Sequence, residues 1–144
     1  MKTLKSFVIV LLGIVMTANF TPAQNYKAPK IDASGKVTNG NGTHLGWVTK
    51  EGAINDVSGN KIASIDSEGN LIDAKTGKKM GKAEKNGNFI SEETKTPDKG
   101  WIVSDAKNGT CLVKDGKGNV KGEVHENYKA QGACAIHCLT KQKK

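Results

Sequence analysis

A glycine-led repeat of about seventeen residues runs through most of this chain and constrains its fold more than any other feature. Gly35, Gly52, Gly69, Gly87, Gly109 and Gly132 are spaced 17, 17, 18, 22 and 23 residues apart. Two residues after each stands an apolar side chain: Val37, Ile54, Leu71, Phe89, Cys111 and Cys134. With 36% of residues hydrophobic, six matches in six positions mark a true register, and these six are the expected core. A second register runs in phase. Gly46-Trp47-Val48, Ala63-Ser64-Ile65, Gly81-Lys82-Ala83, Gly100-Trp101-Ile102 and Gly122-Glu123-Val124 each read small, variable, apolar, their small residues 17, 18, 19 and 22 apart. Two registers that drift together define five units, with a partial sixth at the C-terminus.

Each unit reads as two short strands. Turn clusters such as Asp56-Val57-Ser58-Gly59-Asn60 and Asp115-Gly116-Lys117-Gly118-Asn119 separate the registers inside a unit, and Asp66-Ser67-Glu68-Gly69-Asn70 separates two units. Aspartate caps a turn through its side chain, and Gly or Asn then adopts positive φ at little cost. The pattern predicts an all-β chain of antiparallel hairpins, with residues 91–99, which include Pro97, as a surface loop. No amphipathic helix of useful length is evident. One hairpin cannot bury its apolar side alone. Five can, if they close around a shared centre, and closure also protects their edges. An open β-solenoid is the alternative arrangement. The core is expected to be thin, since aromatic content is 5%.

The repeats are preceded by an export signal. Lys2 and Lys5 form a basic n-region, residues 7–16 are apolar apart from Gly13, and Thr21-Pro22-Ala23 offers small residues for cleavage. Spanning a membrane takes roughly 17–25 apolar residues, so residues 1–23 read as a signal peptide and no span is expected in the mature chain. Its product is expected in a periplasm or outside the cell. The rest divides into a lead at 24–30, the five-hairpin domain at 31–125 and a cysteine-containing tail at 126–144. All 22 basic residues are lysine; after cleavage 20 remain against 14 acids, a charge of +6. Without arginine forks, sequence-specific nucleic-acid binding is not expected.

Five repeats of the type Asp56-Val57-Ser58-Gly59-Asn60-Lys61-Ile62-Ala63-Ser64-Ile65 behind a signal peptide resemble the five-fold β-flower proteins, small exported proteins found largely in Bacteroidetes. The resemblance covers residues 31–125 and implies five hairpins around a pseudo-five-fold axis. It implies no activity, substrate or catalytic residue.

Few residues carry chemistry. Asp32, Asp56, Asp66, Asp73, Asp105 and Asp115 could ligate calcium but match no established calcium loop, and turn capping accounts for them. Cys134, Cys138, His137 and His125 form a zinc or copper inventory without the spacing of a known finger. Export favours a disulfide instead. Cys111 and Cys134 share the glycine-plus-two position, so they are the preferred pair over Cys134 and Cys138. Glu92-Glu93 reads as solvated, and no nucleophile motif is present, so no catalytic residue and no cofactor is expected.

Trp47 and Trp101 occupy the same place in units one and four, where the other units carry Ser64, Lys82 and Glu123. That place is expected to face solvent; the preferred account is that the tryptophans fill gaps under a loop or the tail, and the alternative is that they stack on a sugar or meet a partner. The sequence therefore reads as an exported, non-enzymatic structural or interaction module of the cell envelope, its partner an envelope protein or glycan. The second reading is a ligand-binding protein, for a glycan through the tryptophans or a metal through the C-terminal cluster. An enzyme is the third. Intact-mass measurement of exported protein is expected to give a chain starting at a cyclised Gln24; a mass that includes residues 1–23 would end the export reading.

Overall fold

In a computed structural model the chain is described over residues 27–93 and 100–141. The expected signal peptide, the Gln24 terminus and most of the 91–99 loop lie outside the described residues. Each repeat unit forms a pair of strands. β2 (Lys36–Thr38) and β3 (His44–Val48) make the first, β4 (Ala53–Asp56) and β5 (Lys61–Ile65) the second, and β6 (Asn70–Asp73) and β7 (Lys79–Ala83) the third. β8 (Phe89–Ser91) and β9 (Ile102–Val103) belong to the fourth unit, and β10 (Thr110–Lys114) and β11 (Val120–His125) to the fifth. A short β1 (Lys30–Ile31) lies between the fifth and first units, parallel to β11 and antiparallel to β2.

All eleven strands belong to one sheet, running from β8 back to β1 and on through β11 and β10 to β9. Its two ends meet. Phe89 and Trp101, just before β9, exchange backbone hydrogen bonds of 2.9 and 2.7 Å, and Asn88 Oδ1 accepts from the Val103 N–H at 2.9 Å. The sheet is therefore a closed or nearly closed barrel and not an open solenoid.

The six glycine-plus-two residues all face its interior, each with at most 1% of its surface exposed. They do not fill it alone. After β11 a 3₁₀ turn (Glu126–Tyr128) leads into α1 (Gly132–Lys141), a helix inside the barrel that packs against β3, β4, β7 and β11. Cys134 and Ala135 are wholly buried, and Ala133, Ile136 and Leu139 are nearly so. The tail thus supplies the centre of the core, and Cys134 sits there on a helix, not on a sixth strand. Its polar face is short, made only of the partly buried His137 and Thr140 and the exposed Lys141 at the C-terminal end, so the helix was not expected from the sequence.

Small residues make room for it. A Cβ added at Gly46 would lie 2.9 Å from Leu139 Cδ2, and one at Gly122 would lie 2.3 Å from Ile136 Cδ1. Gly46 and Gly122 of the second register therefore clear space for the helix, while at Gly81 an added Cβ would instead lie 2.6 Å from the Phe89 ring.

The strands are joined by turns of one construction. Most begin with Asp, Asn or Thr, whose side-chain oxygen accepts backbone N–H groups further along the turn. Asp56 Oδ1 takes those of Ser58 and Asn60 at 2.9 Å each, and Asp115 Oδ1 those of Lys117 and Asn119 at 2.9 Å each. Asp105 departs from the expectation: it caps no turn and instead pairs with Lys129 Nζ at 2.7 Å. A glycine ends each turn, in surroundings that differ between turns. Gly59, in a hairpin loop, and Gly69, between units, share a φ of 88°. An added Cβ meets nothing within 4 Å at Gly59, but at Gly69 it lies 2.1 Å from the Ala83 carbonyl oxygen.

The two sites separate conformational strain from collision. Gly59→Ala is expected to cost about 1–2 kcal/mol for the left-handed conformation alone. Gly69→Ala adds a clash with backbone and should cost roughly 3 kcal/mol or more. Chemical denaturation of the two variants checks this; equal losses would show that the contact with Ala83 does not constrain the turn.

Candidate functional site

Three surfaces bring polar or aromatic groups together. At the end of the barrel where α1 begins, a cleft of about 540 Å³ lies between the turns around Gly52 and Gly69 and the segment Ala130–Gln131. Gln131 Nε2 donates to the Lys50 carbonyl at 2.8 Å, while its Oε1 is buried without a hydrogen-bond partner. At the opposite end, where α1 finishes, a cleft of about 480 Å³ is lined by Met80, Glu92, His137, Cys138 and Lys141 among others. The third surface is the outer wall of the barrel at Trp47.

The end cleft around His137 holds part of the expected metal set. His137 packs between Phe89 and Trp101, with ring centroids 4.9 and 5.6 Å away. Burial holds its imidazole down at about 4, with Lys141 pushing the same way and Glu93 opposing. Cys138 lies one turn of helix from Cys134; burial and then the Asp73 carboxylate push the Cys138 thiol up to about 12. Burial also raises the Cys134 and Cys111 thiols. All three are thus held as protonated thiols, the form least suited to nucleophilic attack or metal ligation. His125 is elsewhere, ending β11, where its Nδ1 accepts the Asn127 N–H at 3.2 Å and caps the 3₁₀ turn. Among the described residues no cluster of three or more His, Cys, Asp or Glu side chains is placed to hold a metal ion.

The expected disulfide is also not formed: Cys111, Cys134 and Cys138 are free and buried. The expectation placed Cys111 and Cys134 on equivalent strands. Cys134 instead lies on the central helix, so the shared register carries no shared geometry.

The two tryptophans do not form a common platform. β3 stands five strands from β8 in one direction and five from β9 in the other, so Trp47 and the seam at Trp101 lie on opposite sides of the ring. Trp101 is half-buried against the core and Phe89, at a centroid distance of 6.2 Å. Trp47 is 37% exposed. His44 meets its ring edge-on at 4.8 Å and 81°, and is itself fixed by a 3.0 Å hydrogen bond between its Nε2 and the Gly46 carbonyl.

The His44–Trp47 contact was not legible in the sequence, because residues three apart on a regular strand face opposite sides. A bulge makes it possible. Val37 pairs with Gly46 and Thr38 with His44, so Leu45 is the extra residue on β3 and His44 is returned to the face of Trp47. Gln131 carried no signal, since it lies outside the repeat, and Met80 precedes the small residue Gly81 of the second register, where nothing marked it as a cleft residue.

Several further acids are committed to the fold. Asp56, Asp66, Asp73 and Asp115 are held below the usual carboxylate range chiefly by turn hydrogen bonds from the following residues. Glu92 pairs with Lys79 at 3.6 Å, and Glu93 pairs with Lys141. Among the described residues no helix is long and apolar enough to cross a membrane. Comparison with protein-family models, with curated proteins and with solved structures finds no match.

Two pH windows follow from these shifts. A depressed histidine binds its proton more weakly in the folded state, so stability should fall as pH drops from about 6.5 towards 4, then level off. Allowing for the ring's partial exposure, the loss is on the order of 1–2 kcal/mol. The depressed aspartates stabilise above their ordinary value of 3.8, and that contribution is lost as pH falls below it. Denaturation across pH should show both limbs, and His137→Phe should remove the upper one while keeping the lower. A variant curve that retains the upper limb would assign it to another group.

Proposed function

We propose that this chain is an exported, non-enzymatic β-barrel module that serves a structural or interaction role in the cell envelope. The observation that carries the reading is the helix in the lumen. Small barrels that hold a ligand do so in their interior; here Cys134, Ala135 and Ile136 occupy that space at no more than 1% exposure. Recognition is left to the outer wall and the ends. The polar side chains support the same reading. The turn aspartates spend their oxygens on backbone N–H groups, and the thiols are buried in protonated form. A rigid wall with short, hydrogen-bonded turns suits the presentation of a surface.

Saturable co-sedimentation of the mature protein with envelope fragments from the cells that export it is the expected behaviour, with no chemical change in the fragments. Absence of binding, or release of a product from the fragments, would overturn the proposal.

A further inference from the structure

The outer wall at Trp47 carries an arrangement the fold does not require. The equivalent positions in three other units are Ser64, Lys82 and Glu123, so a large apolar side chain has no packing duty at this point of the repeat. Yet Trp47 is held rigidly, by an edge-on His44 that is fixed in turn to the Gly46 carbonyl. An exposed indole that is already ordered loses little entropy when a flat ligand settles on it.

Its neighbours across the sheet give the ligand's character. Trp47 pairs with Lys36 on one side and Asn55 on the other, and Asn55 pairs in turn with Lys61. Neighbouring strands lie about 4.8 Å apart, so Lys36, Trp47, Asn55 and Lys61 form one row across four strands, roughly 14 Å long. Cross-strand partners share a face. The row holds two cations, an amide and an indole, and no carboxylate; the nearest charge on β2's other flank is Asp32, which attracts Lys36.

We propose that this row is a binding platform for an acidic polysaccharide. The axial C–H face of one pyranose ring lies on the Trp47 indole, whose negative π-face attracts polarised C–H groups. Asn55 donates to and accepts from ring hydroxyls. Lys36 and Lys61, spaced on either side, pair with carboxylates of the neighbouring sugars. Lysine supplies the point charge that such single contacts need, without the fork of an arginine. A single-stranded nucleic acid would also meet an aromatic ring and cations, but its grip relies on successive stacked bases, and the row offers one ring.

The inference rests on the interaction reading above, and its test separates the two. Affinity electrophoresis of the mature protein in gels containing sodium polygalacturonate is expected to show retardation that neutral pullulan does not give. Trp47→Ala should weaken retardation at least tenfold with little change in melting temperature, while Trp101→Phe retains it. Lys36→Gln with Lys61→Gln should remove the preference for the acidic polymer. No retardation, equal retardation by pullulan, retention in Trp47→Ala, or tighter Trp47-dependent binding of oligothymidylate would each overturn the platform. If envelope co-sedimentation persists in any of those cases, the interaction reading stands and the platform alone fails.

Discussion

The rest of this structure depends on the fit of one short helix inside a ring of short strands. A helix with its side chains is about 10–12 Å across, and the interior of a small barrel is normally filled by side chains from its own wall. Both partners have been thinned here. At three close contacts one side is a glycine: Gly46 against Leu139, Gly122 against Ile136, and on the helix itself Gly132 against Val124. The first turn of α1, Gly132-Ala133-Cys134-Ala135, is as slim as a helix can be made without losing contact with the wall. Close packing, not large side chains, then supplies the dispersion contacts of the core. That is how a chain with 5% aromatic residues fills a closed sheet.

The wall itself is kept in register by its turns. A side-chain oxygen at the start of most turns takes backbone N–H groups that the ladder leaves unpaired, and a glycine carries the chain through positive φ. The turns between units do a second job. The carbonyls of Gly35, Gly52 and Gly69 accept the N–H groups of Val48, Ile65 and Ala83 at 2.9, 2.8 and 2.8 Å. Each joint is thereby tied to the end of the next strand pair, so neighbouring units are linked beyond the ladder that joins them. The same commitment explains why repeated aspartates, which look like ligands in a sequence, have little left to offer a cation.

The repeat was legible because its chemistry is local. Glycine at a turn, an apolar residue two positions later and a capping aspartate each follow from the needs of a single hairpin, and they recur because the hairpin recurs. The tail was not legible for the opposite reason. α1 depends on the barrel around it; its only polar side chains, His137, Thr140 and Lys141, cluster at its C-terminal end, and it has no capping box. Cys134 falls two residues after Gly132 by coincidence of spacing, which made a helix look like a sixth strand. The small residues at 46, 63, 81, 100 and 122 were the available signal. Set on the inner face of a closed sheet, five small side chains leave a cavity that something else in the chain must fill. Trp47 and Trp101 show the limit of register in another way. They hold equivalent places in the repeat, but Trp101 sits at the seam, where closure draws it inward against His137.

The topology also ties the exposed wall to the buried helix. β1 pairs with β11, matching Lys30 to Glu123 from opposite ends of the repeat domain, whereas the seam joins Phe89 to Trp101 within one unit. A pairing with the sequence separation of β1 and β11 is slow to form. The strands around Trp47 are different: β2 to β5 are consecutive hairpins that pair locally. They can form early, but one of them is propped from inside, since Leu139 lies directly behind Gly46, the residue next to Trp47. The bulge that turns His44 towards the indole sits at the same point of β3. The outer row is thus assembled from near neighbours in sequence and made rigid by the far end of the chain. Its geometry is a property of the completed barrel and not of the hairpins that carry it.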